Sequence, residues 1–379
     1  MLDINLKAAE YFSSFSLLDI YDIIYCIGEV MTKIYDFKNN IDINKLKEIA
    51  HALKNDKLVV FPTETVYGIG ANALSCNAVN KIFIAKGRPT DNPLIVHVNS
   101  KEMINNVAID ITSIEQKLID IFMPGPITII LKKKECIPYN VTCSLDTVGV
   151  RMPENIIARK IIEKAGVPVA APSANVSGKP SGTNIEDIKN ELNLKVDYII
   201  DGGMCEIGLE STVVKVEKDI VNILRPGKIT LEDFQKYGFK VKLDSHIFNA
   251  VKKDEKIESP GMKHRHYAPN AKSVLVYSND YKKMISKIKE VINENKYKYN
   301  NIFVMGFEEH KKYFANVNYI SFGKIKDLNS VSKNIFKCLR CLDKQECDFC
   351  IIEGVETKGV GIAITNRLLR ACEYNRIDV

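Results

Sequence analysis

Tryptophan is absent from this chain, and no apolar run approaches the ~20 residues that span a bilayer. The second absence excludes a membrane-spanning helix, so no membrane partner is expected. The start, Met1-Leu2-Asp3-Ile4, lacks a basic segment ahead of an apolar core and does not read as a secretory signal. The ten Cys are therefore expected as reduced thiols in a cytoplasm rather than as disulfides. There is no G-x-x-x-x-G-K-[ST] phosphate loop, no H-E-x-x-H and no G-x-S-x-G elbow. No Cys/His/Asp set offers a covalent nucleophile. These gaps exclude several familiar hydrolase and nucleotide-binding designs.

Arginine is scarce too: nine of the 53 basic residues. A coding bias toward Lys accounts for the ratio. Under that bias, an Arg marks a position needing a planar, permanently charged fork. Arg88, Arg151, Arg225, Arg265 and Arg367 all fall in the motifs below. The net charge of +6 fits a phosphate-bearing partner but does not by itself imply nucleic acid.

What is present is ordinary for a globular protein: 46% hydrophobic and 26% charged residues. At ~100–200 residues per domain, 379 residues predict two domains. Residues 1–40 read as an N-terminal extension, with Met1 to Val30 expected to be dispensable. Residues 41–237 read as a mixed α/β domain. Strands are expected at Leu58 to Phe61, Leu94 to Val98, Ile127 to Leu131, Val148 to Met152, Val167 to Ala171, Tyr198 to Ile200, Ser211 to Val216 and Val221 to Leu224. Helices are expected near Val79 to Ala85, Ile114 to Phe122, Ile156 to Ala165 and Ile185 to Leu192. Residues 238–270 read as a linker, punctuated by Ser259-Pro260-Gly261. Residues 271–379 alternate strands (Ser273 to Tyr277, Ile302 to Met305, Tyr319 to Phe322, Phe349 to Ile352) with helices near 281–294, 309–314, 328–342 and 361–371. That alternation predicts a small parallel-sheet, Rossmann-like domain.

Candidate chemistry gathers in loops. Pro62-Thr63-Glu64-Thr65-Val66-Tyr67-Gly68 follows a buried strand and sets hydroxyls and a carboxylate at its carboxyl edge, where open α/β sheets bind ligands. A helix cap would look the same. Lys86-Gly87-Arg88-Pro89 suits a phosphate clamp, since Lys supplies a point charge and Arg two parallel donors. The bland alternative is a helix C-cap. His97 sits in an apolar strand and is equally readable as a core histidine. Arg151, at a strand end, is a natural carboxylate partner. The loop from Pro172 to Thr183 can build nests of backbone N–H groups for phosphate, although its composition is also that of a plain loop. Gly208-Leu209-Glu210-Ser211-Thr212 and Leu224-Arg225-Pro226-Gly227 complete the set. Gly261 to Pro269 is unusually cationic for a linker. Cys338, Cys341, Cys347 and Cys350 have a CxxC-x5-CxxC spacing, but they fall in a helical pattern and a buried strand. Incidental thiols are the adopted reading over a metal site. Clamps without a nucleophile suit catalysis by positioning two substrates and neutralising phosphate charge.

Phe61 to Gly68, Lys86 to Pro89, Pro172 to Gly178 and Leu209 to Thr212 together resemble the YrdC-like family. The loop Ser259 to Pro269 and the ending Gly359 to Leu368 look like its long, two-domain threonylcarbamoyl-adenylate synthase form. The resemblance implies a YrdC-like twisted mixed sheet with a basic cavity, then a linker and a small Rossmann-like domain. It also implies an enzyme that joins L-threonine, bicarbonate and ATP for a tRNA modification, passing the product to a separate transferase. By motif it implies threonine contacts from Thr65, His97, Arg151 and Ser211. It implies ATP contacts from Arg88, Asn92, Thr147, Ser173, Asn175, Ser181 and Arg225, with Lys86 and Arg88 as the catalytic cations. Mg²⁺ would arrive on ATP, with no metal ligand from protein side chains. Arg265 and Tyr267 would form a lid. Ala171 stands where some members carry Thr. The alternatives are a non-catalytic double-stranded RNA-binding module, giving an RNA contact, and adenylation of a different carbamate.

Overall fold

The computed structural model describes residues 31–249 and 266–379. Among these, twelve strands form one mixed sheet. They are β1 (Lys33–Asp36), β2 (Val59–Phe61), β3 (Gly68–Asn72), β4 (Ile95–His97), β5 (Ala108–Ile109), β6 (Ile127–Lys133), β7 (Thr147–Arg151), β8 (Val169–Ala170), β9 (Tyr198–Asp201), β10 (Thr212–Glu217), β11 (Ile220–Arg225) and β12 (Lys240–Leu243). The order is β1-β9-β2-β3-β8-β4-β7-β6-β10-β11-β12, with β5 on β6. Strand alternation divides the core. Val59 and Phe61 pack with helices Ile43–Lys54 and Ile156–Ala165, while Val60 faces the opposite cluster with Ile69, Val79 and Ile82. Phe61 also explains a glycine: a Cβ on Gly70 would lie 2.5 Å from its ring.

Short polar residues punctuate the helices. Asp42, Ser75 and Asn155 cap helices Ile43–Lys54, Cys76–Lys86 and Ile156–Ala165. Thr112 with Glu115 and Thr230 with Asp233 form capping boxes. Gly87 and Gly166 end their helices in the left-handed conformation that favours glycine.

The second sheet has five strands: β13 (Lys272–Tyr277), β14 (Ile302–Phe307), β15 (Asn318–Gly323), β16 (Phe349–Glu353) and β17 (Arg376–Asp378), in the order β15-β14-β16-β13-β17. All of its pairings are parallel, as the alternation predicted. The two sheets share a core. Val66 and Leu209 from the first lie in one buried cluster with Leu275, Phe303 and Phe336 of the second.

Several details differ from expectation. β1 pairs in parallel with β9, and Phe37 is buried, so part of the segment read as an extension belongs to the sheet. Residues 1–30 lie outside the described residues. At the other boundary, β12 and the buried Ile247 carry the first sheet past residue 237 into the segment read as linker. Residues 308–313 form a 3₁₀ helix rather than an α-helix. β3 and β17 were missed because Gly68-Ile69-Gly70-Ala71-Asn72 and Arg376-Ile377-Asp378 carry little apolar strand signal.

Candidate active site

Strand ends build the site. β4 ends on His97, β7 on Arg151 and β11 on Arg225; His97 and Arg151 are register partners across the parallel β4–β7 pair. These three, with Thr63, Arg88, Ser173, Glu210, Ser211 and Tyr267, line one cavity. About 540 Å³ of empty space, part of it open to solvent, lies between them, and about 50 Å³ admits the centre of a water molecule.

Each cation is oriented by acceptors behind it. Arg88 follows the glycine cap of helix Cys76–Lys86 and donates to the Asn92 and Pro93 carbonyls, so the bland C-cap and the cavity position coexist. Arg225 donates from Nε and Nη2 to the Ser211 carbonyl and from Nη2 to Ser211 Oγ. Arg151 Nη2 lies 2.6 Å from Glu64 Oε1, and its Nε is buried without a partner. The other Glu64 oxygen accepts from the backbone N–H groups of Glu154 and Asn155, at the start of helix Ile156–Ala165. The carboxylate in the Thr-Glu-Thr loop thus aims an arginine into the cavity while meeting a helix start, and neither Thr63 nor Thr65 caps a helix.

Burial sets the protonation states. Desolvation, then Arg151, lowers His97 to about 3, so the ring is neutral; its Nδ1 is 3.3 Å from the Ile95 carbonyl. Desolvation lowers Arg88 and Arg225 to about 10, which leaves both charged at neutral pH. Burial alone would raise the Glu210 carboxyl, but Arg367, Arg225 and the Ser181 hydroxyl outweigh it and hold it at about 2. Burial, with Arg88 nearby, pushes Lys86 well below its usual range.

The remaining expected residues stand behind the wall. Lys86 Nζ donates to the carbonyls of Ser173 and Asn175, fastening the Pro172–Thr183 loop. Asn175 braces that loop from inside through the Val176 and Lys179 carbonyls. Ser181 donates to Glu210. Thr65 Oγ1 lies 2.8 Å from Thr63 Oγ1, and Thr63 is the member of that pair on the cavity. Asn92 is buried beside Arg88, while Thr147 opens β7 at the end away from Arg151. Ala171 lines the cavity. Arg265 lies outside the described residues. Tyr267 is buried in the left-handed region (φ 63°), and its ring stacks on Phe336 at 5.0 Å. His266 beside it and Glu210 opposite also line the cavity, and neither was predicted as a site residue. Glu210's signal was a carboxylate set between an apolar residue and a Ser-Thr pair.

Cys338, Cys347 and Cys350 are buried, and no group of metal-ligating side chains assembles among the described residues.

Two family models match the chain. One, described as telomere recombination (Sua5, YciO, YrdC), matches residues 51–227; the other, described as threonylcarbamoyl-AMP synthase, C-terminal domain, matches residues 229–372. A threonylcarbamoyl-AMP synthase of Pyrococcus abyssi is 41% identical over 92% of this chain and all of its own length. The chain belongs to the threonylcarbamoyl-AMP synthase family. A synthase of Bacillus subtilis is 38% identical, over 86% of this chain and 92% of its own. The crystal structure of P. abyssi Sua5 complexed with L-threonine superposes with a TM-score of 0.86 at 40% identity, covering 92% of this chain and all of that one. The mixed and parallel sheets described above are therefore those of the family's two-domain form.

Proposed function

We infer that this chain is an L-threonylcarbamoyladenylate synthase, which joins L-threonine, bicarbonate and ATP into threonylcarbamoyl-AMP and pyrophosphate for tRNA modification. The observation that carries the reading is a cavity ringed by three buried arginines and a neutral histidine. One arginine, Arg151, keeps an unpartnered Nε. A buried N–H donor without a partner is costly unless a ligand completes it. A carboxylate fits a guanidinium edge, and threonine has one.

On this reading Arg151 holds the threonine carboxylate, with Ser211, His97 and Thr63, the last backed by Thr65, around the rest of the amino acid. The threonine amine and bicarbonate form a carbamate with loss of water. A carbamate oxygen attacks the α-phosphorus of ATP, and pyrophosphate leaves with the electron pair of the broken P–O bond. Arg88 and Arg225 stabilise the charge that builds on the phosphates. Asn92, Thr147, Ser173, Asn175 and Ser181, with Lys86, shape the nucleotide side. Mg²⁺ enters on the ATP phosphates as part of that substrate. Of the cavity's acceptors, Glu210 is already committed to Ser181 and Arg367. The space that admits water is small, so on this reading Tyr267 moves aside to admit substrates and returns to exclude water from a hydrolysable anhydride.

Exposure separates this reading from a non-catalytic RNA module. Arg88, Arg151 and Arg225 are at most 7% exposed, beyond the reach of a duplex backbone. A cytoplasmic site fits the nine described cysteines, all of them free thiols; no helix among the described residues is long and apolar enough to cross a membrane.

The test is pyrophosphate release from Mg-ATP with threonine and bicarbonate each added and omitted, and with serine as control. Release that needs both, and is weak with serine, is expected. No release from folded protein under any combination sinks the reading.

A further inference from the structure

The small domain sends one side chain into the wall of the cavity. Arg367, on helix Val360–Ala371, is fully buried. Its Nε donates to Glu210 Oε2 at 2.9 Å, and its Nη1 donates to the Pro226 carbonyl at 2.9 Å. Nη1 also donates to Asn366 Oδ1, and the Asn366 amide donates across to the Ile247 carbonyl. The guanidinium carbon lies 5.8 Å from the centre of the Tyr267 ring.

These contacts have a common geometry. Glu210 precedes Ser211, and Pro226 follows Arg225. Ser211 and Arg225 are hydrogen-bonded to each other and face the cavity. Arg367 therefore grips both flanks of this wall and lies over the Tyr267 ring, which also lines the cavity. The flanks are packed too tightly to move singly: a Cβ on Gly227 would lie 2.4 Å from the Thr212 nitrogen. A second cross-domain arginine, Arg340, binds Glu191 and the Pro180 carbonyl and grips no strand of the wall.

We propose that Arg367 is a positioning residue of the active site, supplied by the second domain, which fixes the Ser211–Arg225 wall and the Tyr267 ring in their reactive places. Only a branched head reaches all three partners: Nε meets the carboxylate, Nη1 the carbonyl, and the central carbon lies over the ring. A Lys ammonium in the same place keeps the charge and loses that geometry. The second domain is then part of the catalytic unit rather than an appended module.

The kinetic half of this proposal rests on the synthase reading, so the test has two readouts. Arg367→Lys, Glu210→Gln and Lys344→Ala are made in the full chain. Lys344→Ala cuts the cross-domain ion pair to Asp187, away from the cavity. The first readout is amide hydrogen exchange, which needs no activity. Arg367→Lys is expected to speed exchange about ten-fold or more at Ser211–Val213, with little change in β13 and β16. The second is steady-state pyrophosphate release per folded molecule. Arg367→Lys and Glu210→Gln are each expected to lower kcat about ten-fold or more with threonine KM moved less than about three-fold, and their double variant to be no worse than either. Lys344→Ala is expected to keep the parent kcat. Unchanged exchange at Ser211–Val213 overturns the proposal, whatever the activity. So does a folded Arg367→Lys protein with the parent kcat, or a Lys344→Ala loss as large as that of Arg367→Lys. A parent protein with no threonine-dependent release refutes the synthase reading instead and leaves the exchange data to decide the wall.

Discussion

The two sheets treat their carboxyl edges differently. Both bury ionisable side chains there, where α/β folds bind ligands. In the large sheet, His97, Arg151 and Arg225 end three strands around open space, and Arg151 keeps an unpartnered donor. In the small sheet, β16 ends on the fully buried Glu353, whose Oε2 accepts from the Phe307 N–H and lies 2.9 Å from His310 Nδ1. Aromatic rings crowd that pair: Tyr281 and Phe307 lie 5.2 and 5.8 Å from the His310 ring. A buried ionisable pair is thus not a site by itself. In one sheet the charges face a cavity; in the other a comparable pair is packed over and ties β14 to β16.

The largest test of that contrast is Arg151→Lys. The ammonium cannot pair with Glu64 and offer a second edge to threonine. A loss of about 10³-fold in kcat/KM for threonine, roughly 4 kcal/mol, is expected with the fold retained. Pyrophosphate release and a melting curve on the same sample check both halves. Near-parent activity would mean that the threonine carboxylate is held elsewhere.

Glu353→Ala is the counterpart in the small sheet. It strips an acceptor from His310 and the Phe307 N–H, so a loss of about 2–3 kcal/mol in unfolding free energy is expected. The kcat of the folded fraction should stay near parent. A loss of kcat with stability intact would make the small-sheet edge a working site and erase the comparison.

Much of this contrast was legible in the sequence, for physical reasons. Helices Ile156–Ala165 and Ile185–Leu192 were read to the residue because a polar cap, an apolar stripe and a stop coincide in each. The scarcity of arginine pointed inward: of the eight described, Arg88, Arg151, Arg225, Arg340, Arg367 and Arg370 are buried. Three of them were tied to the cavity by motif. Arg340 and Arg370 were passed over because they sit in helical patterns with no Gly or Pro beside them. Weighting every arginine equally would have found them. The second role of Glu64, aiming Arg151, was not legible, since it depends on β2 and β7 converging in space. Nor was the choice between Thr63 and Thr65, which turns on the twist of one loop.

A smaller effect comes from acid. The folded protein keeps His97 neutral down to about 3, whereas its ordinary value is 6.5, so between these the unfolded chain binds a proton that the folded one refuses. Stability from this source is full above pH 6.5 and falls as pH drops, by about 2 kcal/mol at pH 5. Glu210 acts lower: it stays ionised in the fold to about 2 against an ordinary 4.5, so its share is full above pH 4.5 and is lost from there down to about pH 2. Melting curves of the parent and His97→Gln from pH 7.5 to 5 should diverge, with the parent the steeper; the variant keeps the share due to His266, which burial also holds well below its ordinary value. Equal slopes would place a proton on His97 in the fold and remove the neutral ring from the large-sheet site.

The smallest expected effect is on the surface, where lysine does what arginine does inside. Lys132 and Asp110 form a 2.6 Å pair with both side chains more than half exposed. Water screens such a pair, and ordering two mobile chains offsets most of the attraction. Lys132→Ala is expected to move Tm by less than about 1 °C and to leave kcat and its salt dependence unchanged. The value of this variant is its contrast with Arg151→Lys, since both disturb a cation 2.6 Å from a carboxylate. If distance alone set the worth of an ion pair, the two would cost the same. If burial and an open donor edge set it, they differ by about three orders of magnitude in kcat/KM for threonine. A Lys132→Ala protein that lost activity would show that the cavity is reached electrostatically from the surface, and the distinction between the two sheet edges would have to be redrawn as one of net field rather than of local geometry.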